Sequence, residues 1–155
     1  MKMHHLLLTA AAFTVSALTL QAAPKDLVGK ELPALGVEYL EATPELKGKP
    51  AIVEFWATWC PPCRKSIPHL NELNKKYKDK GLVIIGISDE DQKTVETFRK
   101  TTPMEYTVAL DKKGLGQKFG VTGIPHAFVV GKDGKVIWEG HPMQLTDAEI
   151  EKALK

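Results

Sequence analysis

A short β-prone run that passes almost directly into a helix opened by two cysteines and two prolines constrains this chain more than any other feature. Ala51-Ile52-Val53-Glu54-Phe55-Trp56 follows Gly48-Lys49-Pro50 and reads as a central strand. Ala57-Thr58-Trp59 leads to Cys60-Pro61-Pro62-Cys63, and from Pro61 the residues Ile67, Leu70, Leu73 and Tyr77 recur at three- and four-residue spacing. That periodicity predicts a helix, with lysines at its end and Gly81 as its C-terminal cap.

The rest of the chain extends the alternation. Leu82-Val83-Ile84-Ile85-Gly86-Ile87 is a continuous apolar run, suited to a strand covered on both faces. Ser88-Asp89 offers caps for a helix carrying Val95 and Phe98, Tyr106–Leu110 a short strand, and Leu115–Phe119 a short helix. Ala127–Val130 and Val136–Trp138 flank Lys132-Asp133-Gly134-Lys135, a hairpin signal of Asp-Gly type. Thr146 to Leu154 closes the chain as a helix, with Thr146 and Glu149 as a capping box and Leu145 stapled onto Ile150. Residues 23–50, with the alternation Val37/Tyr39, suggest an extended or loose-hairpin lead-in. The order predicts an α/β domain: a mostly parallel sheet with helices on both faces and an antiparallel hairpin at one side.

The N-terminus reads differently from this domain. Lys2 with His4 and His5 forms a basic start, Leu6 to Leu20 carries no charge, and Gln21-Ala22-Ala23-Pro24 follows. Positive start, apolar middle and small residues are the order of a secretory signal peptide, so residues 1–22 are expected to be a signal peptide and 23–155 the folded domain. The uncharged run is shorter than the roughly 20 residues a membrane span needs, and an uncleaved anchor is the alternative. The chain without residues 1–22 has 20 Lys and Arg against 19 Asp and Glu, a balance that gives no reason to expect nucleic acid or an anionic membrane surface as partner. A monomer is expected.

An exported domain that relied on disulfides would normally use several cysteines closing long loops. This chain has two, three positions apart, and a bridge closing so short a loop constrains the unfolded chain little. Chemistry explains the pair better. A thiolate attacks disulfides, and the first turn of a helix lowers a thiol's pKa through its unpaired N–H groups and dipole. Cys60 falls there, and Cys63, one turn on, lies on the same face. The alternative, a tetrahedral metal site, requires two further ligands.

Trp59-Cys60-Pro61-Pro62-Cys63, Glu54, Pro68 and Gly123-Ile124-Pro125 together resemble the thioredoxin family, particularly its exported TlpA-like and ResA-like branch, from about Leu46 to the C-terminus. The resemblance implies a thioredoxin fold with a central mixed sheet, and thiol–disulfide exchange through a Cys60/Cys63 redox pair. It places a buried acid at Glu54, six residues before Cys60, where burial raises the pKa and lets the carboxylate take the proton of Cys63. Pro68 corresponds to a helix kink. Ile124-Pro125 corresponds to a cis-proline loop facing the sulfurs, with the Ile124 backbone pairing with an extended substrate segment and Trp59 as an apolar docking patch. His126 stands where the family commonly has Thr; near Cys60, its protonated form would stabilise a thiolate, and a solvent-facing or core-edge position is the alternative.

The implied cycle needs no bound cofactor. Its partners would be protein disulfide or dithiol clients, apocytochromes c and copper-site assembly proteins among them, with a membrane thiol transporter as electron donor in the periplasm or another extracytoplasmic space. Only about 40 residues separate Tyr77 from Phe119, too few for the helical insertion of DsbA-like oxidases, which favours the reductase direction. Two other classes compete. A copper-binding assembly factor would use Cys60, Cys63 and His126, though such factors space their cysteines by three residues. A thiol peroxidase would need Pro-x-x-x-Thr-x-x-Cys, and Ala57 occupies the Thr place.

Overall fold

The computed structural model describes residues 26–155, so the expected signal peptide at 1–22 lies outside the described residues. Six strands form one mixed sheet: β1 (Glu38–Tyr39), β2 (Ala51–Phe55), β3 (Val83–Ser88), β4 (Thr107–Leu110), β5 (His126–Val130) and β6 (Val136–Gly140), in the order β1-β4-β3-β2-β5-β6. β2, β3 and β4 run parallel, while β5 and β6 are antiparallel to their neighbours, as is the edge strand β1. β2 is central and buried along its whole length, which is why its side chains are apolar on both faces apart from Glu54.

Four helices follow in chain order: α1 (Pro61–Tyr77), α2 (Gln92–Arg99), α3 (Leu115–Lys118) and α4 (Asp147–Ala153). Ile67, Leu70, Leu73 and Tyr77 of α1 are buried in one cluster with Ile52 and Trp56 of the β2 side, Val95 of α2, and Leu145 and Ile150 beside α4. The second cluster covers the opposite face, where Val53, Phe55, Phe128 and Val130 meet Leu115 and Phe119. The helices therefore divide unevenly. Two parallel crossovers that step in the same direction put α1 and α2 on one face, and α3 with the lead-in residues Leu27, Leu32 and Leu35 covers the other.

Several local expectations are settled or change. The lead-in takes the extended form of the two its sequence suggested, with Val28 and Glu31 bridging to β6 and its turn while β1 pairs with β4 at the far edge. Asp91, not Ser88 or Asp89, caps α2 by accepting from the Thr94 N–H at 2.9 Å, because β3 continues through Ser88. The β5–β6 turn is the Gly131–Lys135 loop, with only Gly134 at positive φ (81°), so it is not a two-residue turn needing both central residues left-handed. The capping box of Thr146 and Glu149 on α4 forms as expected, and Pro68 sits inside α1.

Candidate active site

The β2–α1 junction holds the cysteines because the strand ends as the helix begins. Cys60 is the N-cap of α1, in extended backbone, and its Sγ accepts from the Cys63 N–H at 3.3 Å. Pro61 and Pro62 fill the first two helical positions and carry no N–H, so the Cys63 amide is the donor the first turn offers this sulfur. Cys60 and Cys63 are joined as a disulfide, both buried. The loop before them is pinned from β3 and the turn after it. The Thr58 N–H and hydroxyl donate to the two oxygens of Glu90 at 2.7 and 2.6 Å, and the Ser88 hydroxyl donates to the same carboxylate at 3.0 Å. Neither Thr58 nor Glu90 stands out in the sequence, since their pairing spans 32 positions.

Ile124–Pro125 is cis, and the Ile124 carbonyl oxygen lies 3.7 Å from Cys60 Sγ, so the loop before β5 faces the disulfide. Trp59 is 68 % exposed beside it. Trp59 and Ile124 share a cleft of about 100 Å³ whose rim carries Asp89 and Asp111. Of the residues singled out from the sequence, Cys60, Cys63, Trp59, Ile124 and Pro125 thus meet at one end of the sheet.

Glu54 lies beneath them, fully buried on the face that packs against α1. Desolvation pushes its carboxyl up to about 8, opposed by the Ser66 and Tyr106 hydroxyls. Ser66, one turn beyond Cys63, sits 2.9 Å from Glu54 Oε1 and 2.7 Å from the Cys63 carbonyl oxygen. One hydroxyl proton cannot serve both acceptors. With Glu54 neutral, the acid donates to Ser66 and Ser66 donates to Cys63, which links the carboxyl to the second cysteine's turn. The i, i+3 spacing of Cys63 and Ser66 was the signal for this contact.

His126 does not join them. Strand alternation turns it to the face of Phe55 and Phe128, where its ring packs on Phe128 with centroids 4.8 Å apart, while α1 lies on the opposite face. Burial lowers its pKa, with the Glu139 carboxylate opposing, so the neutral form is favoured over the imidazolium. His69 contacts the Leu145 carbonyl oxygen and His141 caps a short turn. No group of three or more His, Cys, Asp or Glu side chains suited to a metal ion occurs among the described residues.

Residues 28–139 match the model of the AhpC/TSA family. The chain is 41 % identical to the thiol-disulfide oxidoreductase ResA of Bacillus thuringiensis subsp. konkukian, over 83 % of this chain and 77 % of that protein. It is 32 % identical to the thioredoxin-like protein YneN of Bacillus subtilis, over 71 % and 66 %. Among solved structures, a thiol:disulfide interchange protein of the thioredoxin family from Chlorobium tepidum superposes with a TM-score of 0.63 at 34 % identity, covering 71 % of this chain and 83 % of that one. The chain belongs to the AhpC/TSA family, as one of its thioredoxin-fold thiol–disulfide oxidoreductases.

Proposed function

We propose that the protein reduces disulfides in exported proteins, with Cys60 as nucleophile, Cys63 as resolving thiol and Glu54 as the proton acceptor of Cys63. In the reduced protein the Cys60 thiolate attacks one sulfur of a client disulfide, and the other client sulfur leaves as a thiolate that takes a proton. Cys63 passes its proton to the Glu54 carboxylate and attacks Cys60. The second client sulfur is then released, leaving Cys60–Cys63 oxidised and the client reduced by two electrons. Trp59 and the Ile124–Pro125 loop hold the client segment. The observation that carries this reading is the Cys60–Cys63 disulfide capping α1, faced by the Ile124 carbonyl and underlain by Glu54.

The reductase direction rests on the first turn of α1. With prolines at two of its three leading positions, the thiolate of Cys60 keeps the Cys63 N–H and the helix end but lacks a full turn of donors, and a pair whose reduced form is only partly stabilised is a weaker oxidant. The apolar N-terminal run supports a signal peptide at 1–22 and an extracytoplasmic setting, where a membrane thiol transporter would return the electrons. The resemblance to the TlpA-like and ResA-like branch suggests a part in cytochrome c maturation, with apocytochrome c as a client. Family membership does not bring peroxide chemistry with it, because the buried Ala57 offers no hydroxyl where a peroxidase carries Thr.

The test is reduction of insulin disulfides. The unsubstituted protein accelerates it and Cys60→Ser abolishes the acceleration; equal rates for both would end this reading. Cys63→Ala, which leaves the mixed disulfide unresolved, traps the clients covalently in cells.

A further inference from the structure

Around Glu54 lies a group of polar atoms that the exchange cycle leaves unused. Glu54 Oε2, the indole Nε1 of Trp56 and the hydroxyl of Tyr106 are all buried, and none has a hydrogen-bond partner among the described residues. They converge because β3 carries a glycine at this point. Gly86 pairs with Glu54 across β2 and β3, so a side chain there would share Glu54's face. A Cβ on Gly86 would stand 3.1 Å from Trp56 Nε1 and 3.1 Å from the Tyr106 ring. The space beside the carboxyl is thus filled by two donors instead of a β3 side chain. Buried polar groups are rarely left without partners, and three side by side ask for a reason.

We propose that Tyr106 is a positioning residue for Glu54: its hydroxyl donates to Oε2 when the carboxyl is ionised and thereby sets how readily Glu54 holds and releases the proton of Cys63. This rests on the exchange reading above. In the oxidised protein the Tyr106 hydroxyl and Glu54 Oε2 are both buried and neither makes a hydrogen bond, as suits a neutral acid whose other oxygen is engaged with Ser66. Ionisation leaves Glu54 with two acceptor oxygens and Ser66 able to serve one of them. Tyr106 is the second hydroxyl acting on this carboxyl, in the direction that favours the charged form.

The groups facing the pair, element by element, are few. α1 presents Ser66 and Cys63, the residue after β2 presents the Trp56 indole, β3 presents Gly86, and β5 presents Ala127. From α2, the positive charge of Arg99 acts on Tyr106 while its NH1 pairs with Glu41 at 2.5 Å. Tyr106 and Arg99 both border a surface cavity of about 540 Å³, which Glu41 and Glu105 also line. Tyr106 cannot itself be the proton store, since burial and the Glu54 charge hold its hydroxyl well above the usual phenol range.

The experiment is a pH titration of Glu54 in the oxidised protein by carbon-13 NMR of labelled glutamate side chains, a state in which neither cysteine titrates and no client is needed. Tyr106→Phe should raise the Glu54 midpoint by about one pH unit, the size of one hydrogen bond lost to a carboxylate. Fluorotyrosine placed at position 106, a stronger donor of nearly the same shape, should lower it. Met104→Leu repacks the same pocket without touching a donor and should leave the midpoint in place. An unchanged midpoint in Tyr106→Phe overturns the proposal, as does an equal shift from Met104→Leu. If Tyr106→Phe does not fold, the fluorotyrosine protein decides: a midpoint that stays or rises overturns it. Insulin reduction judges the exchange reading separately, so the two can fail independently.

Discussion

Glu54 carries the clearest conflict between stability and chemistry. An acid near the end of a buried strand costs the folded state whenever it ionises, because water solvates the same carboxylate in the unfolded chain. Its folded pKa, about 8, lies above its ordinary value of 4.5, so the folded state binds the proton more tightly. The resulting stability is full below about pH 4.5 and is lost as pH rises to 8. Glu54→Gln removes that loss. Urea unfolding should therefore find the variant's advantage over the unsubstituted protein larger at pH 9 than at pH 5, while mixed-disulfide resolution slows. Pro62 acts on the other cysteine. Pro62→Ala restores an N–H in the first turn, and a hydrogen bond worth about 1.5 kcal/mol to the Cys60 thiolate corresponds to a reduction potential higher by about 30 mV. Equilibration with glutathione reads that shift. The family resemblance pointed to a buried acid at Glu54 and to a cis bond before Pro125, and the structure has both. The position of His126 stayed open in the sequence because a strand's alternation, invisible in a motif, decides which face a side chain takes.

At the scale of elements, the site depends on how β2 is released into α1. Glu90 holds that loop by accepting from the backbone and hydroxyl of Thr58 and from Ser88. Glu90→Ala leaves a part-buried amide and hydroxyl unsatisfied, at a cost of about 1–3 kcal/mol. Thermal unfolding should show the loss, and insulin reduction should slow because Trp59 and Cys60 are no longer fixed. Strand and helix periodicity made α1, β3 and α4 readable, with α4 announced by its capping box. The Thr58–Glu90 clamp was not readable, because it joins two loops brought together only by the parallel pairing of β2 and β3. The start of α2 shifted to Asp91 for the same reason: Ser88 belongs to the strand and the clamp rather than to a cap.

For the molecule as a whole, every group assigned a part in exchange lies at one end of the sheet, where β2 and β3 end and β5 begins, with the exposed Trp59 at its rim. Trp59→Ala should raise KM for a protein disulfide by about tenfold, while the rate with a small aromatic disulfide and the thermal midpoint stay nearly unchanged. The βαβ order and the hairpin made the sheet legible in the sequence. The path of the lead-in was not, because residues 26–40 reach both edges of the sheet through contacts that no local pattern encodes. The account stands most directly on Cys60 as a nucleophile primed at a helix N-terminus. Alkylation of the reduced protein across pH, read separately at each cysteine, measures this. It should find Cys60 titrating below the roughly 8.5 of a free cysteine while the buried Cys63 reacts slowly. A Cys60 that reacts with the rate and midpoint of a peptide thiol would contradict it.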